Sequence, residues 1–410
     1  MGWRQRRRLA RKRVLIIGAG MAGLTAAAKL ARKVDVTVAD PSPWFEWLPN
    51  IHELLSGIKS PESLRLDRQA LLDAVAVSWL PRAVSRVDGN RATVCFDDGS
   101  EQQYDALLLA VGGVHDTRGV PGCADHALPF KSVDDCQRIA LQLEEKMAAG
   151  SCRLVIVGAG VEGVEALGEV LRRYRQEPGL QVALIDSAEQ LLRGAPAKVD
   201  GWIREHLEGL PVSLHMEQRV ASVGADHVQL ADGSMLAADL VIWTGGVAPP
   251  ALLADSGLAG PGEWLAVEPD LQACRGRRVW AAGDLVDFPG CGKQAYHAMD
   301  MGELAATNLL AWFRGDKRRR FVPSPKPLLV TLGDLDSYLI AGDRVASGVA
   351  LGQLKELIYQ INMLALERGR GVAALPGLVR RLRHTLAELP AAGMLDASYW
   401  LRLPVLRIKI

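Results

Sequence analysis

The chain alternates between short apolar, β-branched runs and longer amphipathic stretches. Residues 14–17 form the first run, and an Ala-rich helical pattern follows to residue 31. The same order, run and then helix, returns at residues 154–157. Short apolar strands that alternate with helices are typical of parallel sheets with helices on both faces. The pattern therefore predicts an α/β protein with two doubly wound units.

Three glycines mark the turn between the first predicted strand and its helix. Gly18, Gly20 and Gly23 stand at G-x-G-x-x-G spacing. The first permits a tight turn, the second lets a pyrophosphate approach the backbone, and the third allows close helix–strand packing. A second strand pattern ends at Asp40, where an acid would bind the adenosine ribose. Together these features predict a dinucleotide-binding fold.

The fingerprint recurs 140 residues later, with Gly158, Gly160 and Gly163 and a following strand that ends at Asp186. Two such folds in one chain predict two dinucleotides brought face to face, so that electrons pass between them. Asp186 would accept a hydrogen bond from a ribose 2′-hydroxyl and repel a 2′-phosphate, which favours NADH over NADPH. Arg193 is near enough in sequence to keep NADPH open.

Further strand patterns end in small residues: 104–113 with Gly112, 239–246 with Gly245, and 277–288 with Gly283 and Asp284. Together with both fingerprints, they resemble the two-dinucleotide-binding flavoproteins of the pyridine nucleotide oxidoreductase superfamily over roughly residues 13–315. The resemblance implies FAD on the first fingerprint and the nicotinamide cofactor on the second, with the small residues at the cofactors. It also implies that Asp284 hydrogen-bonds the flavin ribityl chain.

Within the superfamily, residues 158–170 are similar to the NAD-site helix of the type II NADH dehydrogenases, which reduce quinone at the membrane. Glu165 and Glu169 match the two glutamates of that helix, and residues 47–57 resemble the segment after the first ribose acid. The resemblance implies that Glu165 holds the nicotinamide carboxamide or ribose. Because the two glutamates lie one turn apart, a solvated helix face is the alternative.

The quinone-site helix of that family carries two Gln residues before a glycine. Here Tyr296 and Asp300 take these positions, ahead of Gly302. Residues 293–302 also resemble the apoptosis-inducing-factor-like quinone reductases, which have a Tyr there and the same reaction class. We therefore expect Tyr296 or Asp300 to supply a proton or a hydrogen bond to quinone. No metal is expected, since the histidines show no metal-ligand spacing.

The six cysteines show no CxxC pair, which favours reduced thiols. Disulfide reductases of the superfamily need two cysteines about five positions apart, and the chain has no such pair. Sulfide:quinone oxidoreductases need separated cysteines that converge on the flavin. Cys123 and Cys291 would do so only through folding, and packed or solvent-facing thiols are the favoured interpretation.

Charge is balanced overall but unevenly distributed. The 410 residues contain 48 Lys and Arg against 47 Asp and Glu. Residues 1–13 hold seven basic residues, residues 314–320 carry net +4 and residues 351–410 net +5, which leaves −15 for the rest. This asymmetry predicts a charged surface as a partner, and no nucleic acid is expected.

From about residue 321 the fingerprint pattern ends. We predict an extended linker at 323–327, a strand pair with turns at Gly333 and Gly342, and amphipathic helices at 351–366 and 375–389. The first helix has an apolar stripe: Leu354, Leu357, Ile358, Ile361 and Leu364. Basic amphipathic helices lie on anionic bilayers; otherwise the stripes cover the flavin domain or form a homodimer interface. No transmembrane helix is expected.

We predict an FAD-binding domain at 10–118 and 270–320, an inserted NAD-binding domain at 119–269, and an interface and membrane-attachment segment at 321–410. The predicted function is NADH:quinone oxidoreduction without proton pumping, on the cytoplasmic face of a bacterial inner membrane or on an organelle membrane. Two alternatives stay open. One is an NADH-dependent reductase of a soluble acceptor such as a ferredoxin-like protein, and the other is a redox-responsive FAD/NADH-binding sensor with slow turnover.

Overall fold

The computed structural model describes residues 11–367 and contains two five-stranded parallel sheets. The strand order of the first sheet is Val279–Ala281, Ala106–Leu109, Arg13–Ile17, Asp35–Ala39, Ser78–Leu80. All of its neighbouring strands are parallel. Its central strands are buried on both faces, as apolar β-branched runs require.

The second parallel sheet is built in the same way. Its strand order is Leu128–Pro129, Leu240–Trp243, Cys152–Val157, Leu180–Ile185, Val212–His215. All of its pairs are parallel as well. The predicted α/β class with two Rossmann-type units is therefore confirmed. A short antiparallel ladder, Val114–His115 with Val247–Ala248, joins the segments that leave the two sheets. The domain limits at 118/119 and 269/270 stay a prediction.

Helices and smaller sheets surround the two parallel sheets. The helices are Met21–Leu30, Arg68–Ala74, Cys123–His126, Val133–Ala148, Val161–Tyr174, Ala197–Leu207, Leu252–Asp255, Ala295–Arg314 and Ala350–Glu367, with 3-10 turns at Leu48–Leu54 and Pro61–Leu64. The antiparallel strands are Trp44–Glu46 with Arg65–Asp67, then Val84–Asp88, Thr93–Phe96 and Glu101–Gln103, then Val220–Val223, His227–Leu230 and Met235–Ala237. One large apolar core runs under both parallel sheets.

The segment after residue 321 differs from its prediction in one respect. It forms a C-terminal sheet of three antiparallel strands: Leu328–Leu332, Asp336–Ala341 and Arg344–Ser347. The prediction of a strand pair is wrong by one strand, because the buried Val345 and Ala346 continue the sheet beyond the second turn. The turns at Gly333 and Gly342 are confirmed, with φ of +57° and +60°. Residues 323–327 form no helix or strand, and the extended linker stays a prediction.

The tail helix (Ala350–Glu367) has no residue of its apolar stripe among its fully buried positions. The buried positions are Leu351, Lys355, Tyr359, Asn362, Met363 and Leu366. In the stripe, Leu357 and Leu364 are 53% and 46% exposed. Leu354, Ile358 and Ile361 are half-buried, so the stripe is partly covered by protein and its role stays a prediction. The second predicted stripe, at 375–389, and residues 1–10 lie outside the described residues. Between residues 11 and 367, no helix is long and apolar enough to cross a bilayer.

Helix Val161–Tyr174 touches the C-terminal sheet backbone to backbone. A Cβ atom added to Gly168 would overlap the backbone nitrogen of Gly333 and lie 2.5 Å from the carbonyl carbon of Leu332. A Cβ atom on Gly333 would in turn overlap the carbonyl oxygen of Gly168. No side chain fits between these two elements, so their spacing is set by glycine.

We predict that Gly168→Ala lowers the free energy of unfolding by about 1–3 kcal/mol, because the added methyl group must push two backbones apart. Denaturant unfolding measures the change. Gly201→Ala is the matched control. Gly201 lies in helix Ala197–Leu207 with no atom within 4 Å of an added Cβ, so alanine should be neutral or stabilise by up to about 1 kcal/mol. Equal stability of Gly168→Ala and the wild type would contradict the contact.

Candidate nucleotide and flavin sites

The two glycine fingerprints form turns with the same geometry. Gly18 and Gly158 each have positive φ, +92° and +106°. A Cβ atom on Gly23 would overlap the carbonyl oxygen of Gly18, and one on Gly163 would overlap that of Gly158. The third glycine of each fingerprint therefore lets the helix begin directly against its strand, as the spacing predicts.

The middle glycine of each turn faces open space. A Cβ atom on Gly20 or Gly160 would meet no atom within 4 Å. Each of these glycines is the residue before a helix, Met21–Leu30 or Val161–Tyr174, whose first N–H groups point towards the turn. Backbone N–H groups and the helix dipole attract anions at this position. The turns therefore fit the pyrophosphate of a dinucleotide.

Both predicted ribose acids lie beside their own turn. Asp40 accepts a hydrogen bond from the backbone N–H of Ala19 at 2.8 Å. Asp186 accepts one from the backbone N–H of Ala159 at 2.6 Å. Each donor is the residue between the first two glycines of its fingerprint. The two carboxylates thus occupy equivalent positions at the carboxyl edges of the two sheets, where ligands of this fold bind.

Arg68 belongs to the first site, and the sequence analysis missed it. Its side chain is 5% exposed and lies 3.0 Å from the carboxylate of Asp40. The guanidinium also donates to the carbonyl oxygens of Ala19 at 2.9 Å and Ser42 at 2.7 Å. It therefore holds the ribose acid against the glycine turn. In the sequence, an arginine at the first position of a short helix cannot be told from a solvated one.

The predicted Gly-Asp segment lies against the helix of the first fingerprint. Gly283 has a φ of +85°, and a Cβ atom there would lie 3.2 Å from the Cβ of Ala22. Burial raises the pKa of the Asp284 carboxyl group, against the lowering effect of nearby Lys293. Lys293 Nζ donates to the carbonyl oxygen of Asp284 at 2.5 Å. The segment is thus placed beside the first nucleotide turn.

The two small residues that follow the other strands differ in their surroundings. Gly112 has a φ of +68° and open space where a side chain would be. Gly245 packs against the indole of Trp243, since a Cβ atom there would lie 2.6 Å from the indole nitrogen. Its carbonyl oxygen accepts a hydrogen bond from Arg118 at 3.0 Å. Only Gly112 therefore faces free space.

Glu165 lies in a buried polar cluster that joins distant parts of the chain. Its carboxylate is 2.5 Å from Lys355 Nζ of the tail helix and accepts from the backbone N–H of Thr331 at 3.1 Å. It also lies 3.4 Å from Nδ1 of His52. Burial raises the pKa of Glu165 and lowers that of His52 well below its usual value. With Glu165 and Glu169 6% and 1% exposed, the solvated-face alternative is wrong.

Glu169 lies one turn further along the same helix and is also buried. Its carboxylate accepts a short hydrogen bond from the hydroxyl of Ser56 and lies 3.4 Å from Arg172. Burial raises the pKa of Glu169 to about 7, although Arg172 and Ser56 act in the opposite direction. Ser56 belongs to residues 47–57, so this segment packs on the helix through buried polar contacts.

Tyr296 and Asp300 lie on the first turns of helix Ala295–Arg314. Asp300 forms a short ion pair with Lys326, and the side chain of Lys326 is 2% exposed. Tyr296 is partly buried against the main core. A Cβ atom on Gly302 would overlap the carbonyl oxygen of Ala22, so this helix packs closely on the first nucleotide helix. The roles of Tyr296 and Asp300 towards quinone stay predictions.

Cys123 and Cys291 are free thiols in different surroundings. Cys123 is buried in the smaller apolar cluster with Val155 and Trp243, whereas Cys291 is half-buried against the main core. Burial raises the pKa of Cys123 to about 11 and that of Cys291 also above its usual value. Such thiols are poor nucleophiles, so the packing favours the structural interpretation of both.

Two nucleotide turns at the carboxyl edges of two parallel sheets define a two-dinucleotide-binding flavoprotein. A family model described as pyridine nucleotide-disulphide oxidoreductase matches residues 12–302. The chain belongs to this family. It is an oxidoreductase that uses FAD and NADH, which confirms the predicted superfamily and cofactors.

Relatives with established names are similar over most of the chain. Type II NADH:quinone oxidoreductases of Staphylococcus aureus and Staphylococcus epidermidis are each 22% identical over 379 residues, which cover 85% of this chain and 94% of theirs. A sulfide:quinone oxidoreductase structure from Aquifex aeolicus has a TM-score of 0.81 at 17% identity and covers 91% of this chain and 95% of its own. NDH2 from Plasmodium falciparum in complex with NADH has a TM-score of 0.77 at 15% identity, with 88% and 96% covered.

The open middle glycines give a paired prediction. We expect Gly20→Ala to weaken FAD binding by about tenfold or more, because the methyl group displaces the pyrophosphate from the backbone. Gly160→Ala should leave FAD binding intact and weaken NADH binding by a similar factor. Fluorescence titration with FAD and with NADH measures the two affinities of each variant. Each variant is the control for the other, and a loss of both nucleotides in one variant would contradict the assignment of the two turns.

We predict that Glu169 makes the protein less stable as the pH rises. With a pKa of about 7 in the folded state against 4.5 when unperturbed, the folded protein holds the proton more tightly. The stabilising effect of protonated Glu169 is therefore complete below pH 4.5. It is lost once the pH exceeds the folded-state pKa of about 7, so the free energy of unfolding falls by roughly 3 kcal/mol. Glu169→Gln should remove this fall. Denaturant unfolding at about pH 5 and about pH 8 measures the change in the free energy of unfolding. The same change in the variant and in the wild type would refute the prediction.

Proposed function

We propose that this flavoenzyme is an NADH:quinone oxidoreductase without proton pumping that works while attached to a membrane surface. The observation that carries the proposal is the tail helix. It contributes buried Lys355 to Glu165 of the NAD-site helix, 2.5 Å away, and leaves Leu357 and Leu364 of its apolar stripe exposed. The helix thus connects the nucleotide site to an apolar surface suited to a lipid-soluble acceptor.

The chain's own residues divide the work between the two folds. Bound FAD supplies the redox chemistry, taking hydride from NADH and giving two electrons to the acceptor. The turn at Gly18, Gly20 and Gly23 and the acid Asp40 would hold the first nucleotide, and Asp284 would bind its ribityl chain. The turn at Gly158, Gly160 and Gly163 and the acid Asp186 hold the nicotinamide nucleotide. Binding both in fixed orientation is the main contribution of the protein.

Glu165 is the carboxylate that we assign to the nicotinamide side of the site. Burial raises its pKa, and Lys355 and Thr331 fix its orientation. At the acceptor side we propose Tyr296 or Asp300 as the donor of a proton or hydrogen bond to quinone. Asp300 is oriented by Lys326 and is 37% exposed, so a substrate reaches it from solvent.

Two surface features support attachment to an anionic membrane. Leu357, Leu364 and Val349 are large apolar residues that are 46–53% exposed on or beside the tail helix. Residues 314–320 add net positive charge at the end of helix Ala295–Arg314. Apolar side chains with flanking cations bind the headgroup region of anionic bilayers.

An acceptor screen with NADH and NADPH, run with and without anionic lipid vesicles, tests the proposal. We expect NADH oxidation with short-chain quinone in solution and with long-chain quinone only on vesicles. The double variant Leu357→Gln/Leu364→Gln should bind vesicles at least about tenfold more weakly, since it removes two apolar side chains from the bilayer. Leu141→Gln is the control, because Leu141 is 60% exposed on a different helix, Val133–Ala148.

Two outcomes would contradict this function. Turnover with a ferredoxin-like protein but with no quinone would identify a reductase of a soluble acceptor. Negligible turnover with every acceptor, in protein that retains its FAD, would identify a redox-responsive sensor. Unchanged vesicle binding by the double variant would remove the stripe from membrane attachment.

A further inference from the structure

An ion pair between Lys131 and Glu162 lies at the carboxyl edge of the second parallel sheet. Neither residue has a role in the sites described so far. Lys131 comes two residues after Leu128–Pro129, the edge strand that pairs with Leu240–Trp243. Glu162 is in the first turn of helix Val161–Tyr174. Lys131 Nζ lies 2.7 and 2.5 Å from the two carboxylate oxygens of Glu162. Both residues therefore stand at the edge where ligands of this fold bind.

The pair is surrounded by protein and still open to solvent. The side chains of Lys131 and Glu162 are 22% and 42% exposed. Burial raises the pKa of Glu162, Lys131 lowers it, and the carboxylate of Asp284 raises it again. Because Asp284 belongs to the flavin site, the pair is close enough to feel the charges of both nucleotide sites. A partly open ion pair between two sites is placed to contact a ligand that enters between them.

The two charges act in opposite directions on a dinucleotide. The N-terminus of helix Val161–Tyr174 attracts the anionic pyrophosphate, but Glu162 places a negative charge in that same first turn. An isolated carboxylate there would repel the phosphates. Lys131 compensates this charge through two short contacts. The net electrostatic potential at the glycine turn therefore depends on the charges of both Lys131 and Glu162.

We propose that Lys131 and Glu162 form a charge-balancing pair that sets the affinity of the NADH site. Lys131 attracts the phosphates, and Glu162 limits that attraction so that the oxidised nucleotide is released after reaction. This inference deepens the proposed function, because it rests on NADH binding at the second glycine turn. It does not depend on which acceptor takes the electrons.

Equilibrium titration of the FAD-loaded protein with NADH and with NAD⁺, without any acceptor, tests the pair. Glu162→Gln releases Lys131 towards the phosphates and should tighten binding by about two- to fivefold. Lys131→Met leaves Glu162 uncompensated and should weaken binding by at least about fivefold. The double variant Lys131→Met/Glu162→Gln should return close to the wild-type affinity, since both charges are gone.

Arg153 and Asp239 provide the matched control. They form an equally close ion pair, 2.6 Å, at the opposite edge of the same sheet, where strand Cys152–Val157 begins. Arg153→Met and Asp239→Asn should leave nucleotide affinity unchanged. FAD retention and thermal unfolding of every variant show whether it is folded.

The signs of the changes decide the outcome. Opposite shifts in the two single variants, cancelled in the double variant, support the pair. Weaker binding in both single variants would show a merely structural contact and overturn the inference, as would no shift in either. The proposed function can fail independently of this inference. Variants that show the predicted shifts in NADH affinity, in a protein that reduces no quinone, would refute the proposed function and still support the pair.

Discussion

The nucleotide sites depend on a contact that only glycine permits, the third glycine of each fingerprint against the carbonyl oxygen of the first. With Gly23 on Gly18 and Gly163 on Gly158, each helix begins directly at the carboxyl edge of its sheet. The helix N–H groups and dipole are then aimed at the same point as the open middle glycine. Gly302 on Ala22 and Gly168 on Gly333 repeat the device, so the elements around both sites meet backbone to backbone and their spacing is fixed.

A buried polar cluster connects this scaffold to the surface proposed for the acceptor. Glu165 is held by Lys355, Thr331 and His52, which come from three different parts of the chain. A buried carboxylate that loses its cationic partner is strongly unfavourable, so the tail helix must keep the face that carries Lys355 inward. Leu351, Met363 and Leu366 are buried on the same side, whereas Leu357 and Leu364 are left exposed. The Glu165–Lys355 ion pair thus orients Glu165 and sets which side of the tail helix is buried.

The sequence predicted the parts of the fold that local pattern determines. Apolar runs ending in glycine identified the strands and both turns, and Asp40 and Asp186 are where their spacing placed them. The sequence did not indicate the roles of Arg68, Lys131 and Lys355, because each role depends on a partner that only folding brings into contact. Lys355 is 190 residues from Glu165. Periodicity located the tail helix and left open whether its stripe binds lipid or packs on protein, because the buried contact of Lys355 that orients the helix is invisible in the sequence.

Anaerobic titration of the purified flavoprotein tests electron flow from NADH through FAD to quinone most directly. Addition of NADH should bleach the flavin absorbance in stoichiometric amounts, and a short-chain quinone added next should restore it without oxygen. Bleaching that quinone fails to reverse, while a ferredoxin-like protein does reverse it, would contradict quinone as the acceptor. Protein that contains no flavin, or flavin that NADH does not reduce, would contradict the whole account of two facing nucleotide sites.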